Sequence, residues 1–157
     1  MGSKCIGIDI GGTTVKIGIF TTEGQLLEKW EVPTRKENNG NQILPDVAAS
    51  IEKKLQKMGI DKADVVGAGM GVPGPVLPDG SVEVCVNLGW KNANPQKELS
   101  GLLGGMLVRS GNDANVAALG EMWQGGGKGY RDIVMVTLGT GVGGGVIIDE
   151  KIIAGRH

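Results

Sequence analysis

Short apolar runs separated by glycine open the chain. Lys4–Ile10 and Val15–Phe20 alternate apolar with small or polar residues at a period of two, and Gly11-Gly12 lies between them. Alternation at that period puts every second side chain on one face, so the pattern predicts two strands joined by a glycine turn. Gly24-Gln25 turns the chain again into a third run, Leu26–Val32, which completes an antiparallel meander. The rhythm then changes. After the polar stretch Thr34–Gln42, the residues Ile43, Val47, Ile51, Leu55 and Met58 recur every three or four positions, with Glu52, Lys53, Lys54 and Lys57 elsewhere around the turn. That spacing predicts an amphipathic helix; Pro45 is compatible only with its first turn, and Gly59 closes it.

Farther along, Asp64–Met70 reads as a buried strand that stops at Gly71-Val72-Pro73-Gly74-Pro75, a stretch unable to continue a helix or a central strand. Ser81–Val86 predicts a strand, Pro95–Leu103 a short helix and Met106–Val108 a short strand. Ala114–Gln124 predicts a helix with Val116, Leu119 and Trp123 on one side. Ile133–Leu138 is a strand, Gly139–Gly145 a glycine loop, Val146–Ile148 a strand, and Ile152–Ala154 the start of a further element. The sum is one α/β domain over residues 1–157 with a mixed sheet, flanking helices and no repeat or internal linker.

Composition narrows the chemistry. Glycine supplies 29 of 157 residues, clustered between apolar runs without a collagen period, which indicates tight loops close to a ligand. A formal charge of −1 and few aromatics exclude a basic or base-stacking nucleic-acid surface. No apolar stretch approaches the roughly 20 residues of a membrane span, so the expectation is a cytoplasmic protein. Cys5 and Cys85 are expected as free thiols, a disulfide being the alternative, and without a CxxC pair the chain offers no cysteine zinc site.

The glycine loops carry the candidate chemistry. Asp9-Ile10-Gly11-Gly12-Thr13-Thr14 places bare backbone at Gly11 and Gly12, then hydroxyls at Thr13 and Thr14, a concavity suited to phosphate oxygens, while Asp9 suits Mg²⁺ or its water shell. An ordinary hairpin has the same signature. Gly139, Gly141 and Gly144 match the GxGxxG spacing, but β-branched Val146-Ile147-Ile148 follows instead of a helix, which argues against a dinucleotide fold. What remains is a second glycine hairpin with a hydroxyl, Thr140, at its tip beside Gly141. Asn112-Asp113 enters a helix, where either residue makes an N-cap; an aspartate there also suits a base that accepts an alcohol proton during phosphoryl transfer. Gly71–Pro75 is a structural turn or a ligand-facing loop, and Asn87-Leu88-Gly89-Trp90 pairs an amide with an aromatic, as sugar sites and surface loops both do.

Taken together, Asp9–Thr14, Gly71–Pro75, Asn87–Trp90, Asn112–Glu121 and Leu138–Gly145 resemble, in order and spacing, the ROK-family sugar kinases, the last two most closely the glucokinase branch. The resemblance spans Lys4–His157. It implies the actin-like, ribonuclease-H-like ATPase fold, with ATP and Mg²⁺ between two lobes, of which this chain is the N-terminal one. Asp113 then corresponds to the base that activates the 6-hydroxyl of glucose or a related hexose, and Asn112, Gly71 and Asn87 to sugar-site residues. Asp9, Gly11, Gly12 and Thr13 correspond to the first phosphate loop, Thr140 and Gly141 to the second.

The family pattern continues past His157 with a sugar-binding Glu/His segment, a zinc motif and an adenine-binding lobe. The chain alone is therefore expected to be inactive and to self-associate through its exposed lobe face. The family pattern also has a polar or acidic residue where Arg109-Ser110-Gly111 stands here. The alternatives are a sugar-sensing regulator of the same family, expected to carry a winged-helix domain where only Met1–Lys4 precede the first strand, or an inert folded fragment.

Overall fold

A computed structural model describes residues 2–139 and 141–155, so Thr140 and His157 lie outside the described residues. The meander forms as its alternation dictates. β1 (Lys4–Ile10) pairs antiparallel with β2 (Thr14–Thr21), and β2 with β3 (Leu26–Pro33). α1 (Ile43–Met58) follows, with Pro45 in its first turn and Gly59 left-handed (φ 64°) at its end. The chain returns as β4 (Val65–Val72), parallel to β1.

A two-stranded excursion comes next, β5 (Val82–Cys85) against β6 (Trp90–Ala93), and then α2 (Pro95–Leu102), capped by Asn94, whose Oδ1 accepts from Lys97 N at 3.0 Å. β7 (Val108–Asn112) runs parallel to β4 and passes directly into α3 (Asp113–Gln124). The principal sheet is therefore mixed, in the order β3-β2-β1-β4-β7. A second sheet holds β8 (Ile133–Leu138), β9 (Val142–Ile148) and β10 (Lys151–Ile152) in the order β10-β9-β8.

One face of the principal sheet makes the core. Ile6, Ile8 and Ile10 of β1 and Val15, Ile17 and Ile19 of β2 pack with Val47, Ile51 and Leu55 of α1, all buried. Sequestering a side chain such as Ile51 stabilises by about 1.5–3 kcal/mol, and cutting it back to alanine costs about 2–5 kcal/mol. Cys5 and Cys85 are both free thiols, Cys85 buried and Cys5 half-buried. Among the described residues no helix is long and apolar enough to cross a membrane.

The structure departs from the sequence pattern where glycine or polar residues hold strands. The strand expected at Met106–Val108 lies instead at Val108–Asn112, because its partner is β4: Ala68 pairs with Val108 and Val72 with Asn112. β4 likewise extends through Gly71 and Val72. Trp90–Ala93, unmarked by apolar alternation, is a strand through its pairing with β5. Of the expected Gly139–Gly145 loop, residues 142–145 belong to β9.

Candidate functional site

The carboxyl ends of β1, β4 and β7 lie side by side in the sheet, and their register aligns Asp9 with Gly71 and Gly71 with Gly111. Crevices beyond the carboxyl ends of parallel strands are the usual ligand sites of open α/β sheets. Asp113 stands one residue past the end of β7. Gly71 is the bare saddle between the two carboxylates: a Cβ there would sit 3.7 Å from Asp9 Oδ1 and 3.4 Å from Asp113 Cα. A methyl would fit without a clash but would fill the floor between them.

The turn into α3 is fixed by Asn112. Its Oδ1 accepts from the backbone N–H groups of Ala114 (3.1 Å) and Asn115 (3.2 Å), and its Nδ2 donates to the Gly74 carbonyl at 3.1 Å. Asn112 thus caps the helix and ties it to the Gly71–Pro75 loop, keeping one amide N–H for another partner. Asp113 Oδ1 accepts from Ala114 N at 2.8 Å, which orients the carboxylate and leaves its second oxygen for a ligand. On the far side of the same loop, the Cys85 thiol donates to the Pro73 carbonyl at 3.3 Å, and burial pushes that thiol upward.

Both glycine hairpins face one cleft of about 1020 Å³, although their strands belong to separate sheets. Asp9, Gly11, Gly12, Gly71, Asn87, Asn112 and Asp113 line it together with Gly141–Gly144. A Cβ at Gly12 or Gly141 would meet nothing within 4 Å, so these positions leave open space, whereas Gly11 is pressed against the Thr14 carbonyl that its own N–H bonds at 3.0 Å. Thr13 is exposed and is not among the cleft-lining residues. Thr137, which the sequence reading passed over, lines the cleft from β8. Its place on the β8 face shared with Ile133 and Met135 was the available signal.

Gly143 and Gly145 lie on the β9 face that meets α3. A Cβ on Gly143 would lie 3.3 Å from Ala114 Cβ, and one on Gly145 2.6 Å from Ala118 Cβ and 3.0 Å from the Ala114 carbonyl. These two form the seat on which α3 rests. Gly143 also lines the cleft, as does Gly141 just before the strand.

Burial raises the Asp9 carboxyl above the ordinary aspartate range, and the Asp113 charge adds to this, partly opposed by Lys16. The side chain remains open to the cleft, so the effect is modest. Two carboxylates separated only by a glycine form an anionic end that suits a hard divalent cation, with the remaining ligands from phosphate and water. Among the described residues no cluster of three or more potential metal-ligating side chains exists.

Residues 5–157 match the ROK family. The chain is 41% identical over 151 residues to a glucokinase of Halalkalibacterium halodurans, covering 96% of this chain and 46% of that protein. It is 34% identical over 152 residues to an N-acetyl-D-glucosamine kinase of Yersinia enterocolitica, covering 96% and 48%. The crystal structure of a ROK family glucokinase from Streptomyces griseus, in complex with glucose and AMPPNP, superposes with a TM-score of 0.84 at 34% identity, covering 98% of this chain and 47% of that one. The chain thus spans slightly under half the length of these relatives, and its fold is the actin-like ATPase fold of the ROK sugar kinases.

Proposed function

The chain belongs to the ROK family, and on that footing we propose that it is the N-terminal lobe of an ATP-dependent hexose kinase acting on the 6-hydroxyl of glucose or a close relative. The observation that carries this reading is the placement of Asp113 across Gly71 from Asp9, at the end of a cleft that both glycine hairpins line.

In this reading the sugar lies against Asn87, Asn112 and Gly71, and the polyphosphate between Gly11-Gly12 and Gly141, with Thr13 and Thr140 as further candidate phosphate ligands. The free oxygen of Asp113 takes the proton of the 6-hydroxyl as the sugar's O6 bonds to the γ-phosphorus, and the bond from the γ-phosphorus to the ADP oxygen breaks. Asp9, with Asp113 near it, would hold Mg²⁺ or its water shell; the ion, when bound, neutralises phosphate charge. The Ala114 N–H keeps the base aimed, and the Asn112 bond to Gly74 keeps the sugar loop registered on α3.

Phosphoryl transfer depends on positioning and electrostatics inside a closed cleft. A chain of half the relatives' length is therefore proposed to turn over negligibly alone. The test is a coupled assay of ATP-dependent glucose phosphorylation by this chain and by a full-length protein containing it, each with Asp113→Asn alongside. The full-length variant is expected to lose on the order of a hundredfold or more in turnover. Retention of most of that turnover would remove Asp113 as the base, and robust activity of the 157-residue chain would sink the inactive-lobe reading.

A further inference from the structure

The loop between β3 and α1 holds three successive residues with left-handed backbone. Asn38, Asn39 and Gly40 follow one another with φ of 52°, 59° and 67°. Left-handed backbone is common at single turn residues and rare in succession, and the first two residues here carry a Cβ. Such a segment persists only where its surroundings fix it, and strain of this kind gathers at functional sites.

Its surroundings are specific. Gly40 is buried, and a Cβ on it would overlap the Leu88 carbonyl oxygen and lie 2.8 Å from Trp90 Nε1. The Trp90 indole N–H donates to the Gly40 carbonyl at 3.3 Å. A Cβ on Gly89 would stand 3.2 Å from Asn39 Cα. The left-handed turn therefore clasps residues 88–90, of which Leu88 and Trp90 are buried. Leu88 and Gly89 are the second half of the β5–β6 turn and Trp90 the first residue of β6, and the exposed Asn87 just before them lines the cleft. The β5 leg is tied at Cys85 to the Pro73 carbonyl. Asn87 is the one described residue of this hairpin that lines the cleft.

We infer that the Asn38–Gly40 turn is a positioning element for hexose recognition: by locking Leu88 and Trp90 it sets how far the Asn87 amide reaches toward the sugar. Gly40 and Trp90 are positioning residues that never touch substrate. The inference rests on the hexose reading above and adds a determinant of which hexose is preferred. The physical reason is leverage. Asn87 sits at the tip of a two-stranded hairpin, and a tip held on one side only would swing about that tie.

The test is an NMR titration of an isotope-labelled full-length protein containing this chain, following the backbone amides of Asn112 and Asp113 and the side-chain amide of Asn87 as glucose, mannose and galactose are added. Gly40→Ala forces Leu88 away; Trp90→Phe, the gentler variant, keeps a buried ring but loses the indole donor. Each is expected to lower glucose affinity, by about tenfold for Gly40→Ala, and to change the affinity ratios among the three hexoses while the amides of Leu55 and Met58, at the far end of α1, keep their shifts. A general loosening of the fold would lower all three affinities together and leave those ratios alone, and that result would overturn the inference. So would unchanged affinities in both variants. A full-length parent in which no hexose perturbs Asn112 or Asp113 would instead refute the hexose reading, and the inference with it.

Discussion

Glycines that seat a helix and glycines that face a ligand should respond oppositely to the same added methyl group. In Gly145→Ala the new Cβ starts 2.6 Å from Ala118 Cβ, on a residue with no exposed surface. Carbon atoms pack comfortably at about 3.5–4.0 Å, so α3 and β9 must part by about 1 Å. Overpacking of that kind costs about 1–3 kcal/mol. In a chain of this size each kcal/mol lowers the midpoint by about 2–4 °C, so a fall of roughly 2–12 °C is expected. α3 begins at Asp113, and a displacement of about 1 Å at a reacting group costs on the order of a hundredfold in rate, to be read in the full-length protein. Gly12→Ala places its methyl in open space at a backbone angle outside the left-handed region, so the midpoint should hold or rise slightly while nucleotide affinity falls. Circular dichroism melts of both variants, with nucleotide binding measured alongside, decide the matter. A Gly145→Ala chain that melts with the parent would refute the seat, and a Gly12→Ala chain losing as much stability as Gly145→Ala would refute the division between the two kinds of glycine.

Further expectations concern charge and surface. Because the Asp9 carboxyl is raised in the folded state, that state binds a proton more readily than the unfolded one between the ordinary value of 3.8 and the raised value. Stability from this group therefore falls as pH rises through that window and stays lower above it. Asp9→Asn should accordingly be the more stable protein at neutral pH, with its advantage disappearing at pH below 3.8, and it should bind Mg²⁺-nucleotide more weakly; denaturant melts across pH check the sign. On the outer face of the second sheet, Val134, Leu138 and Val142 are 72%, 82% and 79% exposed, a contiguous β-branched and leucine surface. Surfaces of this kind drive association, so the chain should sediment as a concentration-dependent oligomer, and Val134→Lys with Val142→Lys should return it to a monomer. A parent monomeric at every concentration would contradict this.

The elements legible in the sequence are those whose own side chains specify them. The meander and α1 follow from local periodicity, and Pro45 and Gly59 mark the ends of the helix as they stand in the structure. β7 was displaced in the reading because Arg109, Ser110 and Gly111 carry no apolar rhythm; parallel pairing with Gly69, Met70 and Gly71, forty residues earlier, makes them a strand. The run Gly143–Gly145 hid its strand for a related reason: without side chains there is no alternation to read, and its two faces become distinct only once α3 lies on one of them. At the site, Asp113 and Asn112 were recognisable as a pair, but which of them caps the helix was not. Which residue caps depends on where Gly74 arrives, a matter of tertiary packing. Thr137 was missed because a lone threonine in a strand does not reveal what its face opposes.

β7 gives way to α3 with no residue between them, so Asp113 hangs from a rigid joint rather than a loop. Fixing a loose residue costs about 1–2 kcal/mol of entropy, and here folding has already met that cost. Contacts to Asp113 should therefore carry little ordering entropy. The exposed side chain of Asn87, on a turn whose backbone is held by its neighbours, is the part of the site left to order when a ligand arrives.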